Sequence, residues 1–210
     1  MRVITGIAKG ARLDSVKGNS VRPTTDKIKE AIFSTLQFEI ESRDFLDLFA
    51  GSGQMGIEAL SRGARKVTFV DSSIESIKVI KHNLNKTGLI SNAEIVHRDA
   101  LSFLKTTACK LENYKKGSDA DAEASPFHGP AACGLGGAAC AGFDIVYLDP
   151  PYKSVLMGEL MERLPCLMKK TGIAVYECRS NYILSQKFGD FILDRVYHYG
   201  KIDIRIYCLL

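Results

Sequence analysis

This 210-residue chain contains no long hydrophobic run and no C-x-x-C pair of cysteines. No apolar stretch approaches the ~18 residues of a membrane span, and the first residues lack the apolar segment of a signal peptide. The six cysteines have no regular spacing, which is typical of reduced thiols and not of a disulfide framework. Cys133 and Cys140, with His128 nearby, match no common metal-site spacing. We therefore expect a cytoplasmic protein with no metal and no membrane contact.

The chain has only a small net charge, but an excess of basic residues is concentrated at its N-terminal end. The formal net charge is +4, and residues 1–30 hold seven basic side chains against three acidic ones. Such a segment indicates an anionic partner, with nucleic acid as the first candidate. A merely solvated basic surface would also explain it. The length itself favours a single domain with a substantial core.

The middle of the chain alternates between apolar strands and amphipathic helices. Strand patterns occur in "DFLDLF", "KVTFVD", "AEIVH", "FDIVYLD" and "GIAVYEC", with helix patterns after the first four. Two further strands are predicted around a turn at Gly200. Nearly continuous apolar strands indicate an α/β domain with a mainly parallel sheet, whose ligands bind at the carboxyl ends of the strands.

Two other segments precede or interrupt this pattern. Residues 1–15 suit a short hairpin or an extended arm, and "RPTTDKIKEAIFSTLQFEI" carries helix start signals at Pro23, Thr24 or Thr25, and Asp26. Residues 117–142 contain fourteen glycines or alanines in twenty-six positions and no periodicity. We expect a mobile insertion there, partly disordered, between the third and fourth strands.

A glycine-rich turn follows the first predicted strand. In "LDLFAGSGQMG", Gly51, Gly53 and Gly56 form G-x-G-x-x-G, and Asp71 ends the next strand eighteen residues after Gly53. Such a turn lets backbone N–H groups approach a ligand, and an acid like Asp71 accepts hydrogen bonds from ribose hydroxyls. Glycines that serve only to turn the chain are the alternative.

Two acids favour S-adenosylmethionine (AdoMet) over a dinucleotide. Asp47 lies inside the first strand, where it would repel a diphosphate but suit the ammonium of a methionine tail. Asp99 ends the third strand, where it could accept the exocyclic amine of an adenine. Any of these acids could instead be a helix cap, Asp99 above all.

The fourth strand ends in "LDPPY", residues 148–152. Pro150 and Pro151 fix their own φ angles, and the residue before a proline is driven to extended geometry. Asp149 and the Pro150 carbonyl would therefore form a rigid pair of acceptors for both hydrogens of an exocyclic amine. Stacking on Tyr152 would hold the base, contributing roughly 1–3 kcal/mol. A loop-stiffening turn is the alternative explanation of this motif.

These motifs, in this order, resemble class I AdoMet-dependent amino-methyltransferases. More narrowly, the chain resembles the RsmD family, bacterial 16S rRNA guanine-N2 methyltransferases. The matching pieces are "MRVITGIAKGARL", "VRPTTDKIKEAIFSTL", "DLFAGSGQMGIEALSRGA", "FDIVYLDPPY", "VYE" and "YGKIDIRIY". The resemblance covers nearly everything except residues 106–142, where the Gly/Ala-rich insertion departs from it.

The resemblance implies a Rossmann-like class I methyltransferase fold with a mainly parallel seven-stranded sheet and helices on both faces. It implies transfer of one methyl group to the N2 amine of a guanine in the assembling or assembled small ribosomal subunit. It also implies that Arg22 and Thr24 lie beside cofactor and RNA. We expect a monomer with a basic arm and helix over residues 1–43 and a methyltransferase domain over residues 44–210, with the insertion at about 110–142.

The candidate site residues fall into three groups. The predicted catalytic residues are Asp149, Pro150 and Tyr152. The predicted cofactor-binding residues are Asp47, Phe49, Gly51, Gly53, Asp71, Ser72, Asp99, Ala100 and Thr24. The predicted RNA contacts, which would position phosphates and not read sequence, are Arg2, Lys9, Arg12, Arg22, Lys27 and Lys29.

Three alternative functions stay open from the sequence. A DNA or RNA adenine-N6 or cytosine-N4 methyltransferase would share the D-P-P-Y chemistry, although a specific DNA reader usually needs an added recognition region. A nicotinamide oxidoreductase would explain the glycines but gives Asp47 and D-P-P-Y no role. A non-enzymatic RNA-binding module would explain only the basic arm.

Overall fold

The computed structural model describes residues 1–16, 25–117, 142–150, 157–182 and 185–210, with the backbone alone for residues 109–117. Five α-helices, two short 3-10 helices (Ile90–Asn92 and Leu164–Leu167) and eight strands are found in these ranges. The helices are α1 (Asp26–Thr35), α2 (Gln54–Ser61), α3 (Ile74–Thr87), α4 (Ala100–Gly117) and α5 (Met157–Arg163). The strands are β1 (Asp44–Asp47), β2 (Lys66–Asp71), β3 (Ala93–His97), β4 (Phe143–Leu148), β5 (Met168–Arg179), β6 (Lys187–Phe188), β7 (Phe191–Tyr199) and β8 (Ile202–Leu209).

All eight strands form one sheet, in the order β3-β2-β1-β4-β5-β8-β7-β6. The first five in this order are parallel, while β8, β7 and β6 each run antiparallel to their neighbour. The expected Rossmann-like α/β fold is confirmed. The expected strand count of seven was one too low, because β6 is only two residues long and carries no periodicity that a sequence pattern could reveal.

Each face of the sheet carries its own hydrophobic core, because alternate strand residues point to opposite sides. One face packs Phe45, Ile145 and Val175 against α1, α2 and α3. The other packs Leu46, Val146 and Ala174 against α4 and α5. Helices therefore cover both faces, and the carboxyl ends of β1, β2, β3, β4 and β5 meet at one edge.

The helix boundaries follow local capping chemistry. Thr25 caps α1 by accepting a hydrogen bond from the Ile28 N–H, and Ser73 caps α3 in the same way through the Ser76 N–H. At the other end of α3, Gly88 adopts a positive φ of 71°, which glycine takes without steric cost. Of the two cap candidates that the sequence offered for α1, Thr24 and Thr25, it is Thr25 that caps the helix.

The N-terminal arm, residues 1–14, is a hairpin held against the body. Arg2 and Arg12 form an antiparallel bridge, and the Val3 and Leu13 side chains are buried in the core beneath α1. Gly6 approaches α2 so closely that a Cβ would lie 1.7 Å from the Ser61 carbonyl oxygen. The arm is therefore an ordered hairpin that packs against α2 and the hydrophobic core.

In the described part of the chain, no helix combines the length and the apolar character needed to cross a bilayer. The backbone of α4 continues to Gly117, further than the sequence pattern indicated. Residues 118–141, which make up most of the predicted insertion, lie outside the described residues.

Candidate functional site

The parallel sheet brings the predicted acids to one edge. Asp47 ends β1, Asp71 ends β2 and Asp149 directly follows β4. Asp47 is paired with Phe69 on one side and with Tyr147 on the other, so these strand ends are level. Asp99 follows β3 at the same edge. The sequence prediction that these carboxylates are neighbours of one ligand region is consistent with this topology.

The turn between β1 and α2 has the backbone geometry expected of a ligand-binding loop. Gly51 and Gly53 have positive φ angles of 54° and 78°. A Cβ on Gly51 would meet nothing within 4 Å, whereas one on Gly56 would lie 2.2 Å from the Phe69 ring. Gly51 therefore lies at an open part of the turn, Gly53 adopts its positive φ against core side chains, and Gly56 lets α2 pack directly on β2.

Asp71 shapes that same turn. Its two carboxylate oxygens accept hydrogen bonds from the Gly51 N–H at 2.7 Å and from the Ser73 N–H at 2.8 Å. The carboxylate is half-buried, and the neighbouring Ser72 is exposed. A ribose hydroxyl would have to share this carboxylate with the backbone, and the ribose contact stays a prediction.

Asp47 is a buried carboxylate with one unpaired oxygen. Its side chain is 1% exposed, and Oδ2 accepts a hydrogen bond from the Gly56 N–H at 3.0 Å. Oδ1 is buried and has no hydrogen-bond partner among the described residues. Burial, opposed by the Gly56 N–H and reinforced by the charge of Asp71, raises the pKa of Asp47 to about 7. An ammonium group would satisfy Oδ1 and restore the charged form, so the residue fits the methionine tail of AdoMet.

Asp99 is an exposed helix cap. Its Oδ1 accepts a hydrogen bond from the Ser102 N–H at 2.9 Å, and the hydrogen bonds from Ser102 lower the pKa of the Asp99 carboxyl. Asp99 is therefore a helix cap, as the alternative explanation from the sequence proposed. Its contact with adenine stays a prediction. Ala100 is buried beside it, and Phe49 is half-buried against the core on the α4 side of the sheet.

The predicted amine site is only partly within the described residues. Asp149 is half-buried and Pro150 is buried, while Pro151 and Tyr152 lie outside the described residues. Burial, together with the negative charges of Glu177 and Asp47, raises the pKa of the Asp149 carboxyl well above its usual range. A carboxyl with raised proton affinity can accept hydrogen bonds when ionised and can also take up a proton.

Glu177 at the end of β5 is a further acid that the sequence reasoning did not assign. It is 4% exposed, and the Tyr147 hydroxyl donates to its Oε2 at 2.6 Å. A signal was present: "VYEC" places an acid inside an apolar strand, as "FLDLF" does for Asp47. An acid in a buried strand, level with the other strand ends, would have identified it.

The predicted RNA contacts on the arm and α1 separate into two kinds. Arg2, Lys9, Arg12 and Lys27 are exposed, and Arg2 forms an ion pair with Asp26 at 3.3 Å. Lys29 is fully buried, so its assignment as a phosphate contact was wrong. Its Nζ donates to the Arg2 carbonyl and lies 3.6 Å from Glu58 Oε2. Arg22 and Thr24 lie outside the described residues.

Glu58 anchors the arm to α2. Its carboxylate accepts the backbone N–H groups of Ile4 at 2.7 Å and Thr5 at 3.0 Å, and it pairs with Arg62 at 2.9 Å. No sequence pattern predicts this role, because a Glu in a helix is ordinarily a surface residue.

Asn83 on α3 links the end of the arm to the glycine turn. The fully buried amide accepts from the Asp14 N–H and donates to the carbonyls of Asp14 and Ser52, at 2.8, 3.0 and 3.0 Å. The arm and the cofactor-side loop are thus joined through one side chain.

Comparison with known proteins gives a consistent result. The family model described as conserved hypothetical protein 95 matches residues 1–115 and 135–208. The chain is 34% identical over 209 residues to a Bacillus subtilis protein named "Putative rRNA methyltransferase YlbH", covering 99% of this chain and 98% of that one. It is 33% identical to the ribosomal RNA small subunit methyltransferase D of Haemophilus influenzae, covering 72% of this chain and 64% of that one.

Solved structures agree on the fold. The chain superposes on an Escherichia coli structure described as "Putative methyltransferase yhhF" with a TM-score of 0.74 and 26% identity, covering 100% of this chain and 97% of that one. A structure from Haemophilus influenzae described as the "putative methylase HI0767" gives a TM-score of 0.69 and 27% identity, with 100% and 98% coverage.

Proposed function

The chain belongs to the conserved hypothetical protein 95 family, that is, to the RsmD family of rRNA methyltransferases, and from this membership we propose that it methylates the N2 amine of a guanine in 16S rRNA, with AdoMet as the methyl donor. The proposed setting is the bacterial cytoplasm, and the proposed substrate is the assembling or assembled small ribosomal subunit, bound by a monomer.

The observation that carries this proposal is the arrangement of Asp47 and Asp149. Asp47 offers an unpaired buried oxygen behind the glycine turn, and Asp149 follows β4, the strand paired with β1. The first suits an ammonium group, and the second suits an amine that donates hydrogen bonds. A cofactor site and an acceptor site on adjacent strands are what direct transfer between two bound molecules requires.

The cofactor half would use the residues around the glycine turn. Asp47 would hold the ammonium group, the turn at Gly51 and Gly53 would admit the methionine tail, and Asp71 would face the ribose. When bound, AdoMet supplies an electrophilic methyl group on a sulfonium. This chain's own residues bind and orient the two reactants, and positioning alone can contribute about 7–11 kcal/mol to lowering the barrier.

The acceptor half would use Asp149 and the Pro150 carbonyl. An aromatic exocyclic amine is a weak nucleophile because its lone pair is delocalised into the base. Acceptors for both of its hydrogens would favour the pyramidal nitrogen, and Asp149 would then take the proton that the nitrogen loses. Tyr152 is proposed to stack on the base.

The proposed RNA contacts are the exposed basic residues of the arm and α1. Arg2, Lys9, Arg12 and Lys27 provide charge for phosphates, with Arg22 as a further proposed contact. A guanine inside folded RNA would have to be turned out of its stack to reach Asp149.

The test is methyl transfer from labelled AdoMet to small subunits that lack the modification and to bare rRNA, followed by nucleoside analysis. We expect N2-methylguanosine from the wild-type protein. N6-methyladenosine, N4-methylcytidine or a product only from DNA would contradict the guanine assignment.

The variant Asp149→Ala separates the two halves of the site. We expect it to abolish transfer, by at least about 1000-fold, because the amine loses its acceptor, yet to leave AdoMet affinity within a few fold. Calorimetry with AdoMet checks the second point. The control Asp190→Ala, at an exposed turn before β7, should leave both quantities unchanged. A large loss of AdoMet binding in Asp149→Ala would contradict the assignment.

A further inference from the structure

Three carboxylates lie on one face of the sheet at the carboxyl ends of three adjacent strands. Asp47 on β1 is paired with Tyr147 on β4, and Leu148 on β4 is paired with Tyr176 on β5. The residues that follow the second pair are Asp149 and Glu177. Because side chains alternate along a strand, Asp149 points to the same side as Tyr147. The Tyr147–Glu177 hydrogen bond places Glu177 on that side too.

Glu177 is held in place and shielded from water. Its side chain is 4% exposed, that of Tyr147 is 2% exposed, and their hydrogen bond is 2.6 Å long. A short hydrogen bond from a hydroxyl stabilises the ionised carboxylate. Asp47 on β1 and Glu177 on β5 are on the same side of the sheet as Asp149, whereas the nearby Tyr176 on β5 points to the other face. The negative charges of Glu177, on the strand next to β4, and of Asp47 on β1 both act on Asp149.

We propose that Glu177, held by Tyr147, is a positioning residue for methylation: its buried negative charge on the neighbouring strand keeps Asp149 able to take up the proton that the amine loses. This inference rests on the proposed function, and it adds a residue that acts through Asp149.

The charge balance of the reaction explains why such help is needed. The amine nitrogen forms a bond to the methyl carbon, and the sulfur keeps the electron pair of the broken bond. The nitrogen then carries a positive charge and gives one proton to the Asp149 carboxylate, which later releases it to water. A second carboxylate nearby makes uptake of that proton more favourable, because two like charges in a shielded site resist being ionised together. The effect of Glu177 and Asp47 on the Asp149 pKa is in the same direction.

The experiment is the pH dependence of kcat with saturating AdoMet, which keeps Asp47 paired with the cofactor. Glu177→Gln keeps the size of the side chain and removes its charge. We expect the acidic limb of the profile to move to lower pH by about one unit, because Asp149 then stays ionised further into acid, and the plateau rate to fall. Glu177→Asp, which keeps the charge, should restore the limb to its wild-type position.

Asp203 provides a matched control. It is also buried, at 1% exposed, and it lies on β8 opposite Cys178, the residue after Glu177, so it points to the other face of the sheet. Asp203→Asn therefore removes a buried carboxylate of the same strand pair without facing Asp149. Its acidic limb should stay where the wild-type limb is. Equal shifts in both variants would overturn the proposal, since they would reflect general loosening.

Two further outcomes keep the inference separate from the proposed function. If the wild-type protein transfers no methyl group to rRNA, the proposed function fails and Glu177 has no reaction to support. If the wild type is active and Glu177→Gln leaves the limb in place, only the role of Glu177 is overturned.

Should Glu177→Gln fail to fold, Tyr147→Phe replaces it. Without the hydroxyl donor, the Glu177 carboxylate is no longer held in place, and a smaller shift in the same direction is expected; an unshifted limb would again overturn the proposal.

Discussion

Two buried carboxylates lie eleven residues apart, Asp47 in β1 and Glu58 in α2, and they are treated in opposite ways. Glu58 is surrounded by two backbone N–H groups and two cationic side chains, those of Lys29 and Arg62. Asp47 has a single N–H partner and one oxygen without any among the described residues. Both are almost fully removed from water.

The difference shows how a buried acid can be read. A buried charge is costly unless it is paired, so a fully paired one such as Glu58 has completed its function within the fold. Asp47 has a buried oxygen without a hydrogen-bond partner among the described residues, and a ligand that donates a hydrogen bond can satisfy it. Glu58 therefore joins the arm to the body, and Asp47 is the better candidate for binding.

The largest expected effect comes from breaking the ion pair between Glu58 and Lys29. Glu58→Gln leaves the Lys29 ammonium buried without its counter-charge, and we expect the free energy of unfolding to fall by about 3–5 kcal/mol. Denaturant titration measures it. Adding Lys29→Met to the same variant should recover part of the loss. If the single variant is as stable as the wild type, the pairing is not what holds the arm.

Replacing Asp47 is expected to raise the free energy of unfolding, and the size of this gain should depend on pH. Folding raises its pKa from about 3.8 to about 7, so the folded state favours the protonated form. The cost of ionising it is absent below pH 4, grows as the pH rises towards 7 and is complete above that. Relative to the wild type, Asp47→Asn should therefore gain stability between pH 4 and pH 8, by up to about 4 kcal/mol.

The same variant sharpens the comparison through the cofactor. Thermal unfolding of Asp47→Asn and wild type is measured at both pH values, with and without AdoMet. The ammonium group should stabilise the wild type at pH 8 and stabilise the variant much less, because its acceptor has lost its charge. A pH-independent difference between the two proteins would show that Asp47 does not titrate as inferred.

The smallest expected effect concerns the charges that the arm displays. If the arm contacts phosphates, replacing Lys9 and Arg12 by alanine should reduce the slope of log affinity for rRNA against log salt by roughly 1.5, at about 0.7–0.9 per contact. Lys170→Ala is the control, because it removes an exposed cation at the start of β5, away from the arm, and its slope should equal that of the wild type. An unchanged slope in the double variant would make the arm a solvated surface.

Much of the fold followed from periodicity. The order of strands and helices, the start of α1 at Thr24 or Thr25, and the final hairpin around Gly200 could be predicted from the sequence, since each depends on neighbours in sequence. The two-residue strand β6 was not, because it exists only through its pairing with β7.

The positions of the candidate site residues were predictable where an acid ends a buried strand and not where partners come from elsewhere in the chain. Parallel strands bring their carboxyl ends together, so the sequence could predict that Asp47, Asp71 and Asp149 lie at one edge of the sheet. Lys29 was misjudged because its exposure depends on Glu58, twenty-nine residues away, and on the arm folding over both. Asn83 was missed for the same reason, since its partners lie at Asp14 and Ser52.

The amino-acid sequence by itself determined the alternation of elements and the glycine turn, because these depend on local geometry and on the period of the apolar residues. Only the tertiary structure decided which charged groups are paired. The partners of Asp47, Glu58 and Glu177 cannot be read from the sequence, and Lys29 looks there like any other basic residue of the first thirty. Burial and distant partners set their roles, because the cost of a charge depends on what surrounds it in three dimensions.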